Sequence, residues 1–280
     1  MYTVDPVFST DDSAMTMLRR AVFPAVLLAL LLLPAAVPAD ALSDILERGK
    51  IRVGVSLFTP WAMKDKSGEL TGFEVEVARK LAAEMGVQAD FKVLPWSEII
   101  GALQQGDIDV IISGMAITPR RALQLNFSLP YAESGAAIAT NTAKTHDVRD
   151  LEDLNDPKFV VVAVAKTLGS DVAKLLFDRA DLRIVANNAE AEALVLEGKA
   201  HAYIASTIET AFLALDHPEE IDLPLHKPLL ASVAGMGVRK GEQELLNFLN
   251  AWVTARTADK WLSTTHKYWF KTLKWRDRPQ

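Results

Sequence analysis

The chain runs to 280 residues, with 36 acidic against 30 basic side chains and a formal net charge of −6. It contains no cysteine, which excludes disulfides, a thiolate nucleophile, thiolate zinc sites and a lipoprotein anchor. The mildly acidic balance argues against a nucleic-acid partner, and the length suits either one large α/β core or two lobes.

Residues 1–41 read as a signal peptide. Arg19 and Arg20 form a basic start, residues 25–33 are an unbroken apolar run, Pro34 follows, and Ala39-Asp40-Ala41 offers a small-x-small cleavage site. The run is too short for a membrane span, which needs ~20 apolar residues. Met17 is the expected start, because residues 1–16 resemble no part of a signal peptide. Cleavage after Ala41 leaves 239 residues with a net charge of −4. The exported chain, lacking a lipid anchor, is expected free in the periplasm.

Residues 51–55 alternate apolar and polar and predict a strand. Residues 72–84 predict a helix, with Phe73, Val77, Leu81 and Met85 four apart and Gly86 as its stop. A strand over 89–94, a helix over 97–105 ending at Gly106, and an apolar strand over 108–112 follow. This β-α-β-α-β order implies a parallel sheet covered by helices. The pattern repeats with strands over 159–165, 182–186 and 202–205 and helices over 170–177, 189–197 and 207–215. Residues 218–228 are proline-rich and loop-like. A strand over 233–239 and helices over 242–255 and 258–268 complete the chain.

Between the strand ending at Ile112 and the turn at Arg121 lies Ser113-Gly114-Met115-Ala116-Ile117-Thr118-Pro119-Arg120-Arg121. Small residues let the backbone approach a ligand closely, and an arginine fork matches a carboxylate. An isolated turn arginine is ordinarily a solvated surface group, and Arg120 is expected to be one. A second loop, Thr167-Leu168-Gly169-Ser170-Asp171, links a strand to a helix start, where free N–H groups favour an anion. Ser170 could equally be a plain helix cap.

The first block, continuing through Asn126-Phe127-Ser128-Leu129-Pro130-Tyr131, resembles the matching segment of the periplasmic solute-binding proteins, family 3, that capture polar amino acids for ABC importers. The resemblance extends over residues 42–270. It implies an α/β fold of two lobes, the periplasmic-binding-protein type II arrangement, each lobe a mainly parallel sheet flanked by helices, with two hinge strands near 136–140 and 232–238. Lobe 1 is then 42–138 with 233–280, and lobe 2 is 139–232. It further implies that Arg121 clamps a ligand carboxylate, that the Gly114 C=O accepts from a ligand ammonium, and that the Ala116 N–H donates to the carboxylate beside Ser113. Phe58 and Trp96 match positions whose rings pack on the ligand. Both follow the C-terminal ends of strands, where open parallel sheets place ligands. Thr167, Gly169 and Ser170 would form the opposite jaw. The implied partners are a small amino acid or carboxylate and an inner-membrane ABC permease, the chain itself being a monomer without cofactor or metal.

Two positions depart from the family pattern. Ala116 lacks the hydroxyl usual there. Ser206 stands where relatives carry an aspartate that pairs with the ligand ammonium. Either Glu209 or another acid compensates, or the ligand lacks an ammonium, although Glu209 reads first as a solvated acid in the first turn of a helix. No acid for a cationic side chain stands in the loop 56–58, so a neutral or acidic ligand is expected over lysine or arginine. No G-x-S-x-G, H-E-x-x-H, Walker or G-x-G-x-x-G motif occurs, and the five histidines are scattered, so no catalytic residue is assigned. The alternative is a cyclohexadienyl dehydratase, an enzyme on the same scaffold acting on prephenate or arogenate. It would need a general acid, for which Glu133 and Glu209 are the candidates near the cleft.

Overall fold

The computed structural model describes Thr3, residues 40–272 and residues 274–276. Apart from Thr3, Asp40 and Ala41, the expected signal peptide lies outside the described residues. The compact unit beginning at Asp40 carries both repeats.

Helix α1 (Ala41–Arg48) is capped by Asp40, whose carboxylate accepts from the Ser43 N–H. Strand β1 (Lys50–Val55) is followed by a small ribbon, β2 (Met63–Lys64) and β3 (Leu70–Thr71). Then come α2 (Phe73–Met85), β4 (Gln88–Val93), α3 (Ile99–Gln105), β5 (Val110–Ile111), α4 (Pro119–Ala122) and β6 (Asn126–Phe127). Phe73, Val77 and Leu81 form the buried stripe of α2. The expected stops are present: Gly86 and Gly106 take left-handed φ of 74° and 82° and return their N–H groups to the last turn, a conformation glycine adopts without steric cost.

The second repeat opens with the long β7 (Ala132–Asn141) and the short α5 (Thr142–Thr145). It continues with β8 (Val160–Val164), α6 (Leu168–Leu176), β9 (Asp181–Val185), α7 (Asn188–Leu196), β10 (Ala202–Ser206), α8 (Thr207–Asp216), β11 (Ile221–Asp222) and β12 (Leu230–Ala234). The valine-rich β8 lies between β10 and β9, parallel to both. Buried on both faces, such a strand has no reason to alternate. The chain then returns through β13 (Gly237–Val238) to α9 (Gln243–Ala258), α10 (Trp261–Lys267) and a π-helical turn over Tyr268–Thr272.

Two main sheets result, ordered β4-β1-β5-β13-β6 and β11-β7-β10-β8-β9 with β12 also on β7. Each has a parallel centre: β1 runs parallel to β4 and β5, and β8 parallel to β9 and β10. This is the two-lobe α/β fold. The strand expected over 233–239 divides in two, because β12 pairs with β7 while β13 pairs with β5 and β6. The break falls at Gly235, where a Cβ would lie 2.9 Å from the Ile117 side chain. The stretch 136–140 sits inside β7, bonded to β10. The second sheet draws its strands from residues 132–234, with β12 paired along its whole length to the start of β7.

Candidate ligand-binding cleft

The C-terminal ends of β1, β4 and β5 in one lobe and of β8, β9 and β10 in the other open on one cavity of about 410 Å³. Phe58 and Trp96 supply aromatic walls, Gly114, Ala116 and Arg121 line the first-lobe side, and Thr167, Gly169 and Ser206 line the second. Eight of the ten expected residues thus meet at one site.

The two serines do not line it. Ser113 is fully buried, and its hydroxyl accepts the Ser56 N–H at 2.8 Å, tying β1 to the loop after β5. Ser170 is also fully buried. Its N–H donates to the Thr167 hydroxyl at 3.0 Å, so Thr167 caps α6 and Ser170 is neither cap nor ligand donor. Helix α6 starts two residues before the expected Ser170, which moves the cap back to Thr167.

Arg121 is only 8% exposed. Its Nη1 donates to the Ala116 carbonyl at 2.9 Å and its Nη2 to the Lys166 carbonyl at 3.0 Å. The guanidinium lies 5.3 Å from the centre of the Trp96 ring, a cation–π arrangement. Burial lowers its pKa, opposed by Asp171. None of the ion pairs among the described residues includes Arg121. A desolvated cation bonded only to carbonyls is a pole for an anion. Arg120, by contrast, is exposed and faces Asp171 at 3.4 Å.

The backbone beside it is held in place from behind. Ala116 bridges Ala234 in antiparallel fashion, with the hydrogen bonds carried by the flanking Ile117 N–H and Gly235 N–H. The N–H and C=O of Ala116 therefore point away from β12, and the C=O is the one Arg121 takes. Gly114 has φ +60°, and a Cβ there would meet Phe58 at 3.1 Å and Trp61 at 3.2 Å. Its N–H donates to the Tyr131 hydroxyl at 3.4 Å. That hydroxyl donates in turn to both oxygens of Glu74, at 2.9 and 2.8 Å. Glu74 is fully buried, and desolvation pushes its pKa up to about 8.

Several lining residues were not singled out from the sequence: Leu57, Leu94, Ser134, Gly135, Leu168 and Asn187 among them. Leu57, Leu94 and Asn187 stand just past the ends of β1, β4 and β9. The rule that parallel sheets bind at their carboxyl ends would have found them if applied to every strand. Glu209 had two readings from the sequence, a solvated first-turn acid and an acid compensating for Ser206. It is half-buried and lines the cavity rather than standing in solvent. Its carboxylate accepts from the Ser206 N–H at 3.0 Å and from the Asn188 side-chain amide. The Ser206 hydroxyl accepts the Glu209 N–H at 3.1 Å, completing a capping box at the start of α8. The S-x-x-E spacing carries that signal. Burial raises the Glu209 pKa against the hydrogen bonds that favour its ionised form. No cluster of three metal-ligating side chains occurs among the described residues, and no described helix is long and apolar enough to cross a membrane.

Residues 51–272 match the model of the bacterial extracellular solute-binding proteins, family 3. The chain belongs to that family. Its role is binding rather than catalysis. Among curated relatives, the L-cystine-binding protein TcyJ of Escherichia coli K12 is 25% identical over 233 residues, covering 82% of this chain and 85% of that protein. Among solved structures, the ancestral amino acid-binding protein AncCDT-1, a precursor of cyclohexadienyl dehydratase, is 34% identical with a TM-score of 0.76, covering 83% of this chain and all of that one. A binding component of an ABC transporter from Wolinella succinogenes, complexed with lysine, is 32% identical with a TM-score of 0.77, covering 82% of this chain and 100% of that one.

Proposed function

We propose that this chain is the periplasmic receptor of an ABC importer, a monomer that binds an amino acid or related carboxylate between its lobes and presents the closed form to an inner-membrane permease. The single observation that carries the reading is Arg121: a guanidinium buried at the cavity wall, offered carbonyls by both lobes and a carboxylate by neither. A ligand carboxylate there offsets the desolvation that burial imposes. Phe58 and Trp96 give shape selection, and the Gly114 and Ala116 backbone completes the first jaw. Closure moves one lobe, centred on residues 42–138 with 233–280, against the other, 139–232, and needs only a ligand of higher affinity for the closed state.

The test is thermal unfolding of ligand-stripped protein against a panel of amino acids, small carboxylates and prephenate, beside Arg121→Ala. Ligand at a hundredfold over its Kd adds ~2.7 kcal/mol, a rise of roughly 5–11 °C at this size. A rise with an amino acid that vanishes in Arg121→Ala is the expected result. A response confined to prephenate, with release of an aromatic product, would replace the receptor by the dehydratase.

A further inference from the structure

We propose that the ligand is a net-neutral α-amino acid with a bulky apolar side chain, its carboxylate held by Arg121 and its ammonium by Glu209. This rests on the receptor reading and deepens it.

Charge matching comes first. Among the described residues lining the cavity, only Arg121 and Glu209 are ionisable, one cationic and one acidic. A low-dielectric site makes every unmatched charge costly. A zwitterion with an uncharged side chain satisfies both poles and adds no third charge. Lysine or arginine brings a second cation with no second acid to meet it. Aspartate or glutamate brings a second anion with no second cation.

Glu209 is built for the ammonium. The Ser206 N–H and the Asn188 amide hold its two oxygens, one each. Each oxygen of a carboxylate accepts more than one bond, so acceptor capacity is left for the cavity side. Ser206 serves as the cap, its N–H going to Glu209 and its hydroxyl receiving the Glu209 N–H, and it carries no charge to match an ammonium. The negative pole therefore stands one turn into α8 rather than at its cap. Two further titratable groups stand near this corner. Glu192 on α7 and the Tyr203 hydroxyl on β10 are both raised in pKa by burial, with the Glu209 charge adding to the effect.

Side-chain class follows from the walls. Leu57, Phe58, Val93, Leu94, Val164 and Leu168 face the cavity, and among the described residues no lysine, histidine or further acid does. At about 410 Å³ the space exceeds what two charged groups fill, and its remaining surface is one on which an aliphatic or aromatic side chain buries apolar area.

The experiment is isothermal titration of the ligand-stripped protein with L-leucine, L-phenylalanine, L-tryptophan, L-lysine, L-arginine, L-glutamate and 3-phenylpropionate, which is phenylalanine without its ammonium. One of the first three is expected to bind at least about tenfold tighter than the charged amino acids and than 3-phenylpropionate, as a desolvated charge pair requires. Glu209→Gln should remove most of the preference for phenylalanine over 3-phenylpropionate. The ligand comparison in the wild-type protein stands even if the variant folds poorly. Tightest binding of lysine, arginine or glutamate, still dependent on Arg121, overturns the ligand class and leaves the receptor standing. Equal binding of phenylalanine and 3-phenylpropionate overturns the role of Glu209. Silence toward every compound overturns the ligand class, and the receptor reading is then decided by the wider thermal-unfolding panel.

Discussion

Glu74→Gln should abolish a pH dependence of stability that the wild-type protein carries. The Glu74 carboxyl lies in the first turn of α2, fully buried, bonded to the Tyr131 hydroxyl and flanked by the Phe73 ring stacked on Tyr131 at 6.2 Å. No ion pair among the described residues includes it. Desolvation raises its pKa from 4.5 to about 8. Between those values the folded state keeps the proton and the unfolded state loses it. Stability from this group is therefore fully present below 4.5, falls as pH rises through the window, and is constant above 8. The slope is at most about 1.4 kcal/mol per pH unit, which puts an upper limit of about 5 kcal/mol on the whole span. That is a large share of a total of roughly 5–15 kcal/mol. Glutamine has the shape of the neutral acid and does not titrate. Urea unfolding of both proteins from pH 4.5 to 8.5 should show Glu74→Gln gaining on the wild type up to about pH 8 and no further beyond it. Parallel stability curves would refute the assignment of a neutral buried carboxyl. The Glu74–Tyr131–Gly114 chain also links this proton to the ligand loop, so ligand affinity of the wild type should decline over the same window.

Three further outcomes are expected. Gly169→Ala places a Cβ 2.5 Å from the Ile204 carbonyl, where nothing can yield without moving β10; thermal unfolding should show a loss of roughly 1–3 kcal/mol, and titration a weaker ligand. Asp109→Ala strips a buried acceptor from Arg48 and Arg52, each 2.6 Å away, and should cost roughly 2–3 kcal/mol in urea unfolding. Because Asp109 precedes β5 while the site follows it, ligand affinity should be unchanged. Lys166→Ala removes the bond from Nζ to the Ser97 carbonyl, 2.9 Å long and crossing between the lobes, and should weaken ligand binding about three- to tenfold by titration; an unaltered Kd would show that this contact contributes nothing to closure.

The element order was legible because its signals are local. The valine run of β8, the four-residue spacing of α2 and the glycines that stop α2 and α3 each act within a few residues. Arg121 was legible for another reason: the small-residue loop and the turn that carry it are contiguous, so a single segment brings the guanidinium to the cavity wall. Glu209 was not. Its spacing from Ser206 announces a capping box, and a first-turn acid is ordinarily solvated. Only the approach of Asn188 from α7 and of the opposite lobe turns that cap toward the cavity. Ser170 failed the other way: the helix starts two residues earlier than its pattern implied, and Thr167 captured the N–H.

The sequence by itself therefore determined two α/β repeats, the family, and the arginine of the site, all of which follow from periodicity, turn chemistry and one contiguous motif. Only the tertiary structure decided that the last crossing strand splits at Gly235 between two sheets, that Ser113 and Ser170 are bonded within the scaffold, and that Glu209 lines the cavity. These depend on which distant groups come within 3 Å of one another. Burial and hydrogen-bond competition settle that, and neither is a property of the local chain.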